Sequence, residues 1–239
     1  VFFLIGISYV LTVIALSFMN PDRHKSQTQS STMLQGLMEG LEYVRRHRII
    51  QGIIILGMIV GAFGASLETL LPIYSDKIIT GGINTYSRLL LSAGIGGLIA
   101  TISITILGTL VRPIWFYVVS GVVSGCGLLI LSSITSFPMA LLTLGIIGAS
   151  RGIFGTMSST LIQTLSADKF RGRVMSLHQF TWGTTALGGI LIGAMGEGIG
   201  INLALGFSGL MIMVTTLLIA LTVLRRLLKY PTANVHSDP

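Results

Sequence analysis

Val1 to Met19 passes without one charged side chain, and the pattern recurs along the chain: long uncharged apolar runs, separated by short clusters of Lys and Arg. A run of about 20 apolar residues is the length of helix that crosses the hydrocarbon of a bilayer. Short basic loops resist translocation, so such clusters mark the cytoplasmic side. The densest is Ser166–Leu177, where Lys169, Arg171 and Arg173 sit between two apolar runs. It predicts a cytoplasmic loop from which the other segments can be phased. With 51% hydrophobic and only 10% charged residues among 239, and a mean hydropathy of +0.85, an ordinary soluble domain is excluded.

Val1–Met19 ends at Asn20-Pro21 and then at Arg23, His24 and Lys25; residues 20–32 read as a polar linker. From there Leu34, Leu37, Met38, Leu41 and Val44 recur at helical spacing, with Glu39, Glu42, Arg45 and Arg46 on the other face. That pattern predicts a helix lying on the cytoplasmic surface. Apolar runs then follow at 49–71, stopped by Pro72, and at 86–110, 114–134, 139–165, 174–195 and 202–224, with an outer loop at 73–84 and a tight outer turn at Phe137-Pro138. The fold class expected is an all-α membrane protein with seven transmembrane helices. Under this count twelve of the fifteen Lys and Arg residues fall on one side, the exceptions being Lys77, Arg88 and Arg151. A start without methionine or a basic leader, together with an odd number of crossings, predicts a piece of a larger protein. Its parts are the last helix of a truncated N-terminal half (1–19), a linker with a surface helix (20–48), a six-helix half (49–226) and a cytoplasmic tail (227–239).

A pI near 10.0 raises nucleic acid as a partner, but the basic residues lie in short runs beside apolar segments, without zinc-finger spacing or a basic helix, so no nucleic-acid role is expected. The single cysteine, Cys126, gives neither a disulfide framework nor a CxxC site. The four histidines (24, 47, 178 and 236) are scattered, and HExxH and GxxxxGK[ST] patterns are missing. No catalytic residue, metal or cofactor is expected, and the chain does not read as an enzyme.

Arg151 is the most informative single residue, because it lies thirteen positions past Pro138 and near the bilayer midplane. An arginine there costs about 2.5 to 3.5 kcal/mol on insertion scales, so it must face protein or water. It borders a stripe of Gly145, Gly148, Gly152 and Gly155 that lets a neighbouring helix approach. It either attracts an anionic substrate group or a carboxylate on another helix, or serves as a structural pair. Glu68 continues the line Gly57, Gly61, Gly64 and reads as a proton-exchanging carboxylate, as a rim residue, or as a carboxylate whose pKa is lowered by pairing with Arg88 on the next segment, which would argue against proton uptake. Phe154, Gln163, Gln179, Phe180, Thr181 and Trp182 supply the apolar walls and polar anchors of a substrate site, or ordinary packing. His178 reads as a surface histidine. Asp168, Arg171 and Arg173 either latch the cytoplasmic side or orient the helices. Gly121, Gly125, Gly189 and Gly193 read as packing positions.

Three stretches resemble the major facilitator superfamily, in the branch of the enterobactin exporter and related bacterial drug and secretion transporters. Glu39-Gly-Leu-Glu-Tyr-Val-Arg-Arg-His-Arg-Ile-Ile50 is similar to the linker helix running into the seventh membrane helix. Leu67-Glu-Thr-Leu-Leu-Pro-Ile-Tyr74 is similar to that helix's outer end, and Asp168 with Arg171-Gly-Arg-Val-Met-Ser176 to the loop between helices ten and eleven. Ala167 departs from the usual proline, and Gly108-Thr-Leu-Val-Arg-Pro113 keeps Arg112 without its aspartate partner. The resemblance implies a twelve-helix transporter whose two six-helix halves rock about a central site, with Arg112, Asp168, Arg171 and Arg173 at a cytoplasmic gate. The expected function is a secondary active exporter of a small amphipathic molecule, such as a drug or siderophore, coupled to protons in the bacterial inner membrane with its C-terminus cytoplasmic. Membrane lipid, the small-molecule substrate and the missing N-terminal half are the partners implied. A lipid flippase and a non-transporting membrane partner or sensor are the alternatives.

Overall fold

The structure, a computed structural model, describes residues 2–18, 33–79, 82–107 and 113–229. Contacts divide the chain into two compact units, Val1–Gly36 and Leu37–Pro239. The first contains α1 (Phe2–Ser17), a sixteen-residue apolar helix. After it come α2 (Met33–Arg46), α3 (Arg48–Lys77), α4 (Gly82–Leu107), α5 (Pro113–Leu131), α6 (Phe137–Leu165), α7 (Asp168–Gly198) and α8 (Ile201–Lys229). Among the described residues all regular structure is helical. Hydrocarbon offers no partner to backbone N–H and C=O groups, and a helix satisfies them within its own segment.

Two boundaries differ from those predicted. Pro72 does not stop α3, which continues to Lys77. Tertiary contacts hold the last turns: Leu70, Leu71 and Tyr74 are buried, and the Tyr74 hydroxyl donates to the Ile134 carbonyl at 2.7 Å. The basic stretch 166–177 is not a long loop either. Only Ser166 and Ala167 separate α6 from α7, and Asp168–Leu177 forms the first turns of α7. Asp168 at that helix start faces the positive end of the helix dipole. At the other end of α7, Gly200 takes φ 93° and reverses the chain into α8.

Glycines set how the helices pair. A methyl group on Gly148 would enter the Ala93 carbonyl of α4, and one on Gly96 the Gly145 carbonyl of α6, so α4 and α6 cross backbone to backbone. Gly57 and Gly61 lie against Thr181, Gly188 against Ala62, and Gly196 against Leu70, numbers that rise together; α3 and α7 therefore run parallel. The α4–α6 contacts rise together too. On α5 and α8 they oppose: Gly121 meets Thr216, Gly125 meets Gly209 and Met213, and Ser132 meets Gly206, an antiparallel pair. These directions are those of six successive crossings that alternate in sense.

Among the described residues five helices are long and apolar enough to cross a membrane: Arg48–Lys77, Ile83–Ile106, Pro113–Leu131, Phe137–Leu165 and Ile201–Thr222. The expectation of seven is thus met by five on length and composition. In α1 the shortfall is length. In α7 it is composition, since His178, Gln179, Thr181, Thr184 and Thr185 dilute the apolar residues of a 31-residue helix. Of these, His178 and Thr181 are buried.

A helix, α2, forms where the apolar spacing from Leu34 to Val44 predicts one. α2 rests on the start of α7 through Gly40, which touches Arg173 and Leu177, and through buried Val44. Leu37, Met38 and Leu41, predicted to share the apolar face with Val44, are exposed. The side chain of Leu34 lies outside the described residues.

Candidate functional site

The cavity of about 340 Å³ lies where α3, α6 and α7 meet. Each helix contributes one face. On α6 the lining positions are Arg151, Phe154, Gly155, Ser158 and Ser159; on α7 they are His178, Thr181, Trp182 and Thr185, with Gln179 beside them; on α3 they are Gly57, Val60 and Gly61. Offsets of three, four and seven define a single helical stripe. The volume falls at the lower end of that of small-molecule sites, and the mixture of glycine, aromatic and hydroxyl groups gives weak walls with a few polar anchors.

Arg151 supplies the charge. Its Nη2 donates to Glu68 Oε1 at 3.0 Å, joining α6 to α3. Glu68 lies nearer the Lys77 end of α3 than the Arg48 end. The arginine is one-third exposed and the carboxylate more than half, so the pair is wetted and exchangeable. Glu68 does not pair with Arg88. Helix α4, which carries Arg88, packs chiefly on α6, while α3 packs on α7 and α8. Sequence adjacency of α3 and α4 does not make them close neighbours. Among the described residues Arg88 makes no ion pair.

The remaining predicted lining residues separate. Phe154 is buried and stacks on Tyr117 of α5 at 4.4 Å, and the Tyr117 hydroxyl donates to the Ile53 carbonyl of α3 at 2.9 Å, so this wall is tied on two sides. Gln179 and Trp182 line the cavity and are exposed; Thr181 lines it and is buried. Phe180 is exposed and is not among the lining residues. Gln163 is not among the lining residues; it lies a turn of α6 beyond Ser159, toward the junction with α7. Its carbonyl accepts from Arg171 Nε at 3.0 Å instead.

His178, read from sequence as a surface residue, is buried: 6% of it is exposed, and Nε2 lies 2.8 Å from Ser158 Oγ across the α6–α7 seam. Distance along α7 from the basic cluster does not report the burial of His178, which its packing on Ser158 of α6 sets. The signal that could have found it was the helical spacing of His178, Thr181, Trp182 and Thr185.

At the basic end, the residues expected at a gate divide between helices. Asp168 and Arg171 pair at 2.7 Å within the first turn of α7, whereas Arg173 pairs with Glu39 of α2. Tyr43 of α2 stacks between His47 and Phe170, with centroids at 4.0 and 4.5 Å, and its hydroxyl accepts from the Ala167 N–H at 3.1 Å. Arg112 lies outside the described residues. Among the described residues no group of three or more His, Cys, Asp or Glu side chains is placed to hold a metal ion.

A model of a family described as transmembrane secretion effector matches residues 1–237. No curated protein matches the chain.

Proposed function

The chain belongs to the transmembrane secretion effector family, a transporter family of the major facilitator superfamily, and we propose that it is the substrate-binding part of a secondary active exporter for small amphipathic molecules. α3 to α8 form one six-helix half in this reading, α1 is the last helix of a preceding half, and that half closes the cavity from the opposite side. Counting α1 and α7 as crossings restores seven. The membrane is the bacterial inner membrane, with the Arg48, Arg171 and Arg173 ends of the helices in the cytoplasm by the positive-inside rule.

The observation that carries the reading is the Arg151–Glu68 pair beside a cavity lined by apolar and neutral polar side chains in a bundle of membrane helices. A wetted ion pair exchanges partners readily. An acidic group on a substrate competes with Glu68 for Arg151. A basic group, or a proton, competes with Arg151 for Glu68, so a cationic substrate and a proton exclude one another at one carboxylate. That exclusion is what export against a proton gradient requires. Phe154 and Trp182 supply apolar contact for the body of the molecule, and Gln179 a hydrogen bond. Asp168, Arg171, Arg173 and Arg112 belong to the cytoplasmic gate in this scheme.

The test is energised efflux by the full-length polypeptide in an efflux-deficient bacterium, with cationic and anionic amphipathic dyes side by side. Proton-dependent loss of a cationic dye, abolished by Glu68→Gln and by an uncoupler, is expected. Equal dye retention in cells with and without the protein, across both classes, would sink the exporter reading.

A further inference from the structure

The cavity has a second polar group, two turns of α6 away from Arg151, about 10 Å along the axis. Here His178 Nε2 faces Ser158 Oγ at 2.8 Å, while His178 Nδ1 is buried and, among the described residues, has no hydrogen-bond partner. A neutral imidazole tolerates that arrangement, with one nitrogen bonded and one bare. An imidazolium has two N–H donors, so its formation here would strand a buried donor and a buried charge.

Nothing nearby compensates such a charge. The nearest charged group on α6 is Arg151, and α3 carries no ionisable side chain between Arg48 and Glu68. On α7 itself, Arg171 is paired with Asp168 and Arg173 with Glu39. The Tyr117 hydroxyl of α5 donates to the Ile53 carbonyl and also bonds Ser158, carrying no charge of its own, and Ile201–Thr222 of α8 contains no ionisable group. Protonation therefore favours a conformation in which Nδ1 reaches water. The seam that must part is between α6 and α7, which share few contacts compared with α3 and α7 or α4 and α6.

We propose that His178 is a proton-binding residue of the transport cycle, neutral and bonded to Ser158 in the conformation seen here and protonated in one that opens the α6–α7 seam to water. The proposal rests on the exporter reading and adds to it a titrating group at the opposite end of the cavity from Glu68. A ligand that binds one conformation shifts the population toward it, and here the ligand is a proton. The conformation described holds the fewer protons, so acidification populates the opened one.

The experiment places one cysteine on the seam, Ser159→Cys in a background with Cys126→Ser and every cysteine outside residues 1–239 replaced by serine, in the full-length polypeptide in lipid nanodiscs, and measures maleimide labelling from about pH 8 to about pH 5.5, the range in which histidine titrates. The same measurement in His178→Gln corrects for thiol ionisation, and its amide still reaches Ser158. The ratio of the two labelling rates is expected to rise several-fold with acid, along a one-proton curve. Identical profiles would overturn the proposal. Carbon-13 NMR of labelled histidine rings, assigned by the signal lost in His178→Gln, gives a second reading on unmodified protein: a His178 ring titrating with the labelling curve supports the proposal, and one that stays neutral across the range overturns it. Neither measurement needs transport, so absent efflux would count against the exporter reading alone.

Discussion

Arg151 of α6 and Glu68 of α3 meet at 3.0 Å beside the cavity, although 83 residues separate them in sequence. Each is a charge deep in an apolar helix, and each finds in the other a partner that neither the next helix nor the nearest basic cluster provides. Because both are wetted, their pairing adds about 1 kcal/mol or less to stability. Its larger consequence falls on binding.

Removing either partner separates these two effects. Arg151→Ala and Glu68→Gln are each expected to lower efflux by on the order of tenfold or more, the size of one lost hydrogen bond to a charged group, with little change in unfolding temperature. The charge swap, Glu68→Arg with Arg151→Glu, is expected to keep the fold and not regain efflux. Full recovery by the swap would make the pair purely structural.

Glycine substitutions test the helix crossings. Gly148→Ala, Gly96→Ala and Gly188→Ala each place a methyl group inside a facing backbone carbonyl, and backbone cannot move aside as a side-chain tip can. Each is expected to destabilise by about 1 to 3 kcal/mol or more. Gly94 and Gly155 have open space at the same position, so alanine there is expected to stay within about 0.5 kcal/mol. Denaturant unfolding in mixed micelles measures both groups.

Two buried hydroxyls tie α3 to its neighbours. Tyr74→Phe removes the bond to Ile134 and Tyr117→Phe the bond to Ile53, and each is expected to lose about 1 kcal/mol. The two sites share no partner, so the double variant is expected to show the sum. Thermal unfolding followed by circular dichroism is the readout.

At the basic end, Tyr43 and Glu39 of α2 hold the start of α7. Tyr43→Ala with Glu39→Ala is expected to speed trypsin cleavage at Lys169 and Arg171 several-fold, because local opening there loses the stack, the hydroxyl contact and the ion pair together. Glu39→Ala alone is expected to resemble wild type at high salt, where a part-exposed pair is screened.

Much of this molecule is legible along the chain. A run without charge must satisfy its backbone internally, so α3, α4, α5, α6 and α8 can be read from composition, and alternating basic clusters give the alternating directions that the glycine contacts repeat. Phe154, Gln179 and Trp182 could be assigned to a lining face from residue type. Arg151 could be placed deep in the bundle by counting from Pro138. Helix α7 is harder, because the residues that line the cavity are the ones that lower its apolar score.

Hydrophobicity and charge are properties of single segments, and the bilayer reads them one segment at a time; the amino-acid sequence alone therefore determines which stretches are helical and which ends are basic. Lateral neighbours are chosen by shape, through glycines that meet a carbonyl two helices away, and no local pattern encodes that choice. Only the tertiary structure decides that α4 packs on α6, that Glu68 takes Arg151 and leaves Arg88, that Pro72 lies within a continuous helix, and that His178 is buried against Ser158. Gln163 lies beyond the cavity for the same reason, since how far a lining stripe extends along a helix is set by the helices around it.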